Sequence, residues 1–295
     1  MGALPDPATL LRDLVAAPGP EIDIARAALA CAALARLARG GAALDLAPYL
    51  DHLDGMAADM RAQGDGTPPA LLAAVLAGDR GYRGDRDSYD DLANADLARV
   101  IDRRRGLPVA LSILWMHAAR ARGWRCTGVN MPAHFLLRLE VGGASWIVDP
   151  FAGGATLDAR DLDALVARVR GPGARPRAED LAAVDDRSVL LRLQNNIRLR
   201  LREVGDAQGA LDATGRMLVV APRSTELWME ASGLNAELGA YRAALDCLDS
   251  AMALAEAPAA RQRIAAERAR LAGRLNCAGR AAGAVLSASS RGRSR

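Results

Sequence analysis

An α+β fold with a helical majority is predicted, and three observations in the sequence carry the prediction. Long stretches are rich in Ala and Leu, which enter helices at least cost, while aromatic residues make up only 3% of the chain. Between Cys126 and Val148 the pattern changes to short apolar runs around a Gly142-Gly143 pair, as expected of antiparallel strands joined by a tight turn. Beyond Ser188, Gly205 and Ala210 recur as Gly239 and Ala244, each displaced by 34 residues. A fixed displacement of that length marks repeated helix pairs.

Residues 1–80 read as a helical region. Helices are expected over Pro7 to Val15, Asp23 to Leu37 and Leu46 to Met60, with Pro68-Pro69 opening a fourth to Ala77. Apolar residues recur at helical spacing in each, and Gly40-Gly41 ends the second. Residues 81–187 form the central region. Gly81 to Asn94 is rich in Gly, Asp, Asn and Tyr and is read as loop. A helix from Asp96 to Arg103 follows. The next, Pro108 to Arg122, carries Val109, Ser112, Ile113, Met116 and Ala119 on one face. Strands are expected over Cys126–Asn130, His134–Val141 and Ser145–Val148, and a helix over Asp158 to Arg168. Residues 188–280 hold the repeat, with a last helix from Ala259 to Leu275 capping it, and 281–295 read as a basic tail without structure. Each repeat unit leaves an apolar face open, so stacking and a cap are needed to cover it.

Composition excludes several classes. Of 295 residues 51% are hydrophobic, ample for a core. The longest apolar run, around Leu107 to Ala119, is too short to span a bilayer. The N-terminus lacks a basic stretch followed by an apolar one, and the four cysteines form no CxxC or Cys/His cluster. These features point to a cytoplasmic protein with reduced thiols, no metal and no cofactor. The net charge of +3 is uneven: Ala259 to Arg295 holds nine Arg and one Glu, a segment charge of +8. No nucleic-acid motif accompanies this tail, so a solvated end is expected rather than a nucleic-acid site.

The informative stretch runs from Arg103 to Gly154. His134 begins one strand and Asp149 ends the next, with the turn at the far end of the pair, so the two side chains are expected side by side. A carboxylate there fixes the imidazole tautomer and orients a general base. Arg105, Ser112 and Asn130 are candidates for the surrounding cleft. The Arg103–Arg105 cluster is expected to pair with the acidic loop Asp85–Asp91, and the Ser112 hydroxyl to bond a helix carbonyl.

This arrangement resembles the transglutaminase-like fold, in which a nucleophilic cysteine opens a helix two residues after a glycine. Here Gly106 is that glycine and Pro108 occupies the nucleophile position; Ser112 and Gly123 fall at the expected offsets. The runs YRGDRDSYDDLANADLARVIDRRRGLPVALSILW, GVNMPAHFLLRL and DPFAGG are similar to the SirB-type proteins, with small departures at Ala133 and Ala152. That resemblance implies a transglutaminase-like core followed by tetratricopeptide repeats, places Tyr89 and Asn94 at the cleft, and carries an association with regulation. The function expected is a non-catalytic protein-binding or regulatory module with a protein partner at the repeats. The alternative is an amide hydrolase or peptidase in which the His134–Asp149 dyad activates water.

Overall fold

The computed structural model describes residues 5–132 and 134–291, with side chains described as far as 275. The fold is mostly helical with one small antiparallel sheet. The chain divides into two compact units, residues 1–200 and 201–295.

In the first unit, α1 (Pro7–Ala16), α2 (Ile24–Ala38), α3 (Ala47–Ala62) and α4 (Pro68–Ala73) come first. Asp6 and Asp23 accept the first free N–H groups of α1 and α2, the usual task of an acidic N-cap. A π-helical turn, Ala74–Asp79, prolongs α4. The Gly81–Asn94 loop contributes β1 (Arg83–Gly84), and α5 (Leu97–Arg103) follows, capped by Asp96. β2 (Arg105–Gly106) pairs parallel with β1, and α6 (Pro108–Ala121) comes next.

The strands β3 (Arg125–Val129), β4 (Leu136–Val141), β5 (Ala144–Asp149) and β6 (Ala155–Leu157) are followed by α7 (Ala159–Arg170), the two-residue β7 (Ala183–Val184) and α8 (Asp186–Glu203). The sheet order is β6-β5-β4-β3-β7, antiparallel throughout. Gly142 and Gly143 both have positive φ, 58° and 85°, as a two-residue hairpin turn requires.

α6 differs from the one-faced helix read from the sequence. Residues Pro108 to Met116 are all buried, as are Ala118 and Ala119. The helices α2 to α5 pack against it, and β3 and β4 do too. A helix enclosed this way needs apolar residues all round, and its sequence has them. Strand alternation then sorts the sheet: Leu137 and Leu139 are fully buried, while Leu136 joins Val129, Met131, Leu162 and Val166 in a second cluster under α7.

In the second unit, α9 (Ala207–Val220), α10 (Thr225–Glu237), α11 (Tyr241–Leu254) and α12 (Pro258–Arg291) each pack on the next. α12 runs past Leu275, where the sequence reading ended it; the side chains of the basic tail lie outside the described residues. Gly205 and Gly239 occupy equivalent left-handed positions, φ 75° and 76°, and Ala210 and Ala244 are both fully buried. Leu245, Leu248, Ile264 and Leu271 form the unit's core, with Trp228 and Tyr241 against it. Among the described residues no helix is long and apolar enough to cross a membrane.

Candidate functional site

Three segments, together with Tyr89 of the Gly81–Asn94 loop, line one small cavity in the first unit. The first is the start of α6. Pro108 suits this position because its ring presets a helical φ and its missing N–H is not needed there. The second is the turn before β4, where the His134 N–H donates to the Met131 carbonyl at 3.1 Å. The third is α8, which contributes Arg192 and Asn196. The cavity has a volume of about 30 Å³, with Tyr89 and Phe135 also in its wall. That is room for about two water molecules.

Asp149 ends β5 and serves two structures at once. Its Oδ1 accepts the N–H groups of Phe151 at 2.9 Å and Ala152 at 3.3 Å, capping the short turn Pro150–Ala152. Its Oδ2 lies 2.9 Å from His134 Nε2. Both side chains are largely buried, 17% and 11% exposed, so solvent screens the pair little. A carboxylate only accepts, so Nε2 carries the proton in this bond, and Nδ1 is the ring nitrogen outside it. Phe151 meets the imidazole edge-on, centroids 6.3 Å apart, and touches Tyr89 in the same way at 5.9 Å. The ring is thus held from its carboxylate side and from one flank.

The other candidates fall in different places. Asn130 is exposed and accepts from an Arg192 guanidinium N–H. Arg105 pairs with Asp87 at 3.2 Å and does not line the cavity. Arg103 pairs with Asp85 at 3.1 Å and Asp91 at 3.4 Å, and Arg104 turns to His52, 2.8 Å away. Asn94 is fully buried, donating to the Ser88 carbonyl and accepting from Arg103. Tyr89 lines the cavity and Asn94 does not. Ser112 is a correction: its hydroxyl is fully buried without any hydrogen-bond partner, and it lies outside the cavity wall. It lies one turn into the enclosed helix α6. Ala133, a departure from the SirB-type pattern, lies outside the described residues.

Arg192 and Asn196 were missed by the sequence reading. They lie 58 and more residues beyond His134 in the chain, on one face of α8 at i and i+4, where Asn196 Nδ2 donates to the Arg192 carbonyl at 2.9 Å. Other polar residues of α8 also lie one turn apart, Asn196 and Arg200 among them, so the sequence offers no signal that singles out this pair.

The sequence profile of the transglutaminase-like superfamily matches residues 47–195. The chain belongs to that superfamily. Its bacterial relatives include a UPF0162 protein of Xylella fastidiosa, 34% identical over 164 residues, which are 54% of this chain and 58% of the relative. A UPF0162 protein of Pseudomonas aeruginosa is 30% identical over 217 residues, 71% of this chain and 76% of the relative. Protein SirB1 of Salmonella typhimurium is 27% identical over 152 residues, 51% and 56% of the two chains. The match spans 58% of one Xylella relative and 66% of the other.

In this transglutaminase-like site the chemistry on offer is an oriented imidazole beside a proline. None of the described cysteines lines this cavity. Cys126 is enclosed in β3, where burial pushes its thiol up to about 12, far from the activated range. Cys247 belongs to the second unit, and burial raises it too. Among the described residues no three His, Cys, Asp or Glu side chains are grouped to hold a metal ion.

Proposed function

We propose that this transglutaminase-like protein is a non-catalytic, cytoplasmic binding or regulatory module. The observation that carries the reading is Pro108 in the wall of the His134 cavity, where the superfamily pattern calls for the nucleophile. Proline brings no nucleophilic atom, and the nearest chemistry is a general base with nothing to activate but water. The second unit supports the same reading. Its paired helices, with matching glycines at 205 and 239 and matching buried alanines at 210 and 244, have the period of tetratricopeptide repeats, and such stacks present a concave face to a peptide or helix.

The test is Pro108→Cys examined with a thiol-reactive probe. Fast labelling that depends on His134 is expected, because an imidazole and a helix start together activate a thiol. Labelling no faster than that of the other cysteines would refute an inherited cleft. Crosslinking in cell extract should capture a partner through residues 188–275; wild-type protein that captures none would count against the binding role.

A second reading is favoured by the cavity itself. A space of about 30 Å³ beside His134 can hold the water that a hydrolase or peptidase would activate. General-base catalysis alone supplies roughly 10²–10⁴ in rate. Amide hydrolysis by the wild type that disappears in His134→Ala, with the fold intact, selects this reading.

A further inference from the structure

Arg192 is the cation of the cavity, and among the described residues its charge has no counterpart. One terminal nitrogen donates to the Asn130 side-chain oxygen and the other to the His134 carbonyl at 3.4 Å, while the guanidinium lies 5.4 Å over the Phe135 ring. These acceptors are neutral, and no carboxylate among the described residues pairs with it. Arg120 and Arg170 are different: Asp186 lies 2.7 Å from the first and Asp180 2.5 Å from the second. The consequence appears in the titration directions. Arg120 and Arg170 are raised, the carboxylates outweighing burial, whereas burial lowers Arg192. A half-buried guanidinium with five N–H donors, two of them engaged by neutral groups, is set to bind an anion.

The surroundings agree. Arg86 lies 5.9 Å over Phe151 and Arg200 lies 5.7 Å over Tyr89, so guanidinium groups rest on the ring that flanks His134 and on the tyrosine of the cavity wall. Arg200 has Asp90 at 3.6 Å, and Arg86 has no carboxylate partner among the described residues. The cavity sets the size: room for about two water-sized groups matches the two oxygens of a carboxylate and is small for a tetrahedral phosphate. Arginine also presents the planar, paired donors that a carboxylate accepts.

We propose that the His134 cavity is a carboxylate-binding site, with Arg192 as its anchor and the imidazole of His134 beside the bound group. The carboxylate is that of a peptide C-terminus or of a free small acid. The inference rests on the cavity and not on the repeat helices, and it stands whether or not His134 performs catalysis.

The experiment follows the ring nuclei of the three histidines by NMR in full-length protein at constant ionic strength. Acetate, acetamide, inorganic phosphate, N-acetylglycine and N-acetylglycinamide are titrated separately. Acetate is expected to shift the His134 signals saturably and leave His117 unmoved, while acetamide does nothing. Arg192→Gln should raise the acetate midpoint about tenfold or more, the loss of one charge-assisted contact; Arg192→Lys should retain part of the affinity. N-acetylglycine binding tighter than acetate would assign a peptide end, and the reverse a small acid. The proposal fails if acetamide matches acetate, if phosphate binds more tightly than either carboxylate, if no shift saturates, or if Arg192→Gln leaves the midpoint unchanged. The acetate–acetamide comparison needs only wild-type protein, so a variant that misfolds does not remove the test. None of these outcomes depends on partner capture or on Pro108→Cys labelling, which test the functional reading separately.

Discussion

Replacing Asp186 by alanine should be among the most damaging single changes in the first unit. Asp186 begins α8 and is 2% exposed. It accepts two N–H bonds from Arg120 at 2.7 and 2.8 Å and one from the Ile22 backbone at 2.8 Å. A single carboxylate therefore joins the segment before α2, the end of α6 and the start of α8, the helix that carries Arg192 and Asn196. Asp186→Ala leaves a largely buried guanidinium, 19% exposed, with the Cys126 carbonyl at 2.9 Å as its remaining hydrogen-bond acceptor among the described residues. It also orphans the Ile22 N–H. Breaking a buried pair from one side costs about 3–5 kcal/mol, a large part of the roughly 5–15 kcal/mol that holds a domain together. Urea denaturation followed by tryptophan fluorescence measures the total, and hydrogen exchange at the Ile22 amide reads the local loss. Asp186→Leu with Arg120→Met should recover most of the stability, since removing both charges removes the desolvation penalty. A cost under about 1 kcal/mol for Asp186→Ala, with Ile22 still protected, would show that the triple junction contributes no more than a surface ion pair.

Two further outcomes are expected. A Cβ added at Gly84 would lie 2.5 Å from the Phe151 ring, so Gly84→Ala must displace the ring that flanks His134. It should cost about 1–3 kcal/mol in overpacking and move the His134 ring signals in NMR; unchanged signals would mean that Phe151 does not position the imidazole. His52 accepts from Arg104 at 2.8 Å, and burial together with Arg104 and Arg80 pushes it down to about 4 from an ordinary 6.5, with Asp59 opposing. Its folded pKa is depressed, so the unfolded chain binds the proton first. Stability is then steady above about pH 6.5, falls as pH drops toward 4, and levels off below. The full shift corresponds to about 3 kcal/mol, and screening at a half-exposed ring reduces it to about 1–2 kcal/mol. His52→Gln should remove that slope between pH 6.5 and 4.5, and a slope that survives would assign it to other groups.

The parts of the fold that were legible in the sequence are those whose signals are local. Pro108 and Gly123 bracket α6, and Gly142-Gly143 fixes the hairpin. Because the hairpin fixes the strand pairing, the proximity of His134 and Asp149 followed from counting residues. What could not be read depends on packing between distant segments. α6 looked one-faced because the sequence does not say that helices and sheet enclose it from opposite sides. β6 and β7, three and two residues long, are too short for an alternation to register. The π-helical turn after α4 leaves no pattern distinguishable from α-helix. Arg192 reaches the cavity because α8 meets the connection between β3 and β4 at Asn130 and the His134 carbonyl, and the start of that helix is tied to Arg120 and Ile22 by Asp186, an ordinary acidic residue in the sequence.

The two halves of the cavity also differ in how far along the chain their parts must travel. His134 and Asp149 are 15 residues apart and close through one tight turn, whereas Arg192 is 58 residues from His134. Loop closure grows costlier with length, and local contacts form sooner. During folding the imidazole–carboxylate pair should therefore assemble with the hairpin, on the microsecond scale of such elements, and stay open to water until α8 arrives. Pulsed hydrogen exchange would see the β4–β5 amides protected before those of α8. The cavity is thus finished by its arginine wall, and a nascent chain halted before residue 186 would carry the dyad without the pocket.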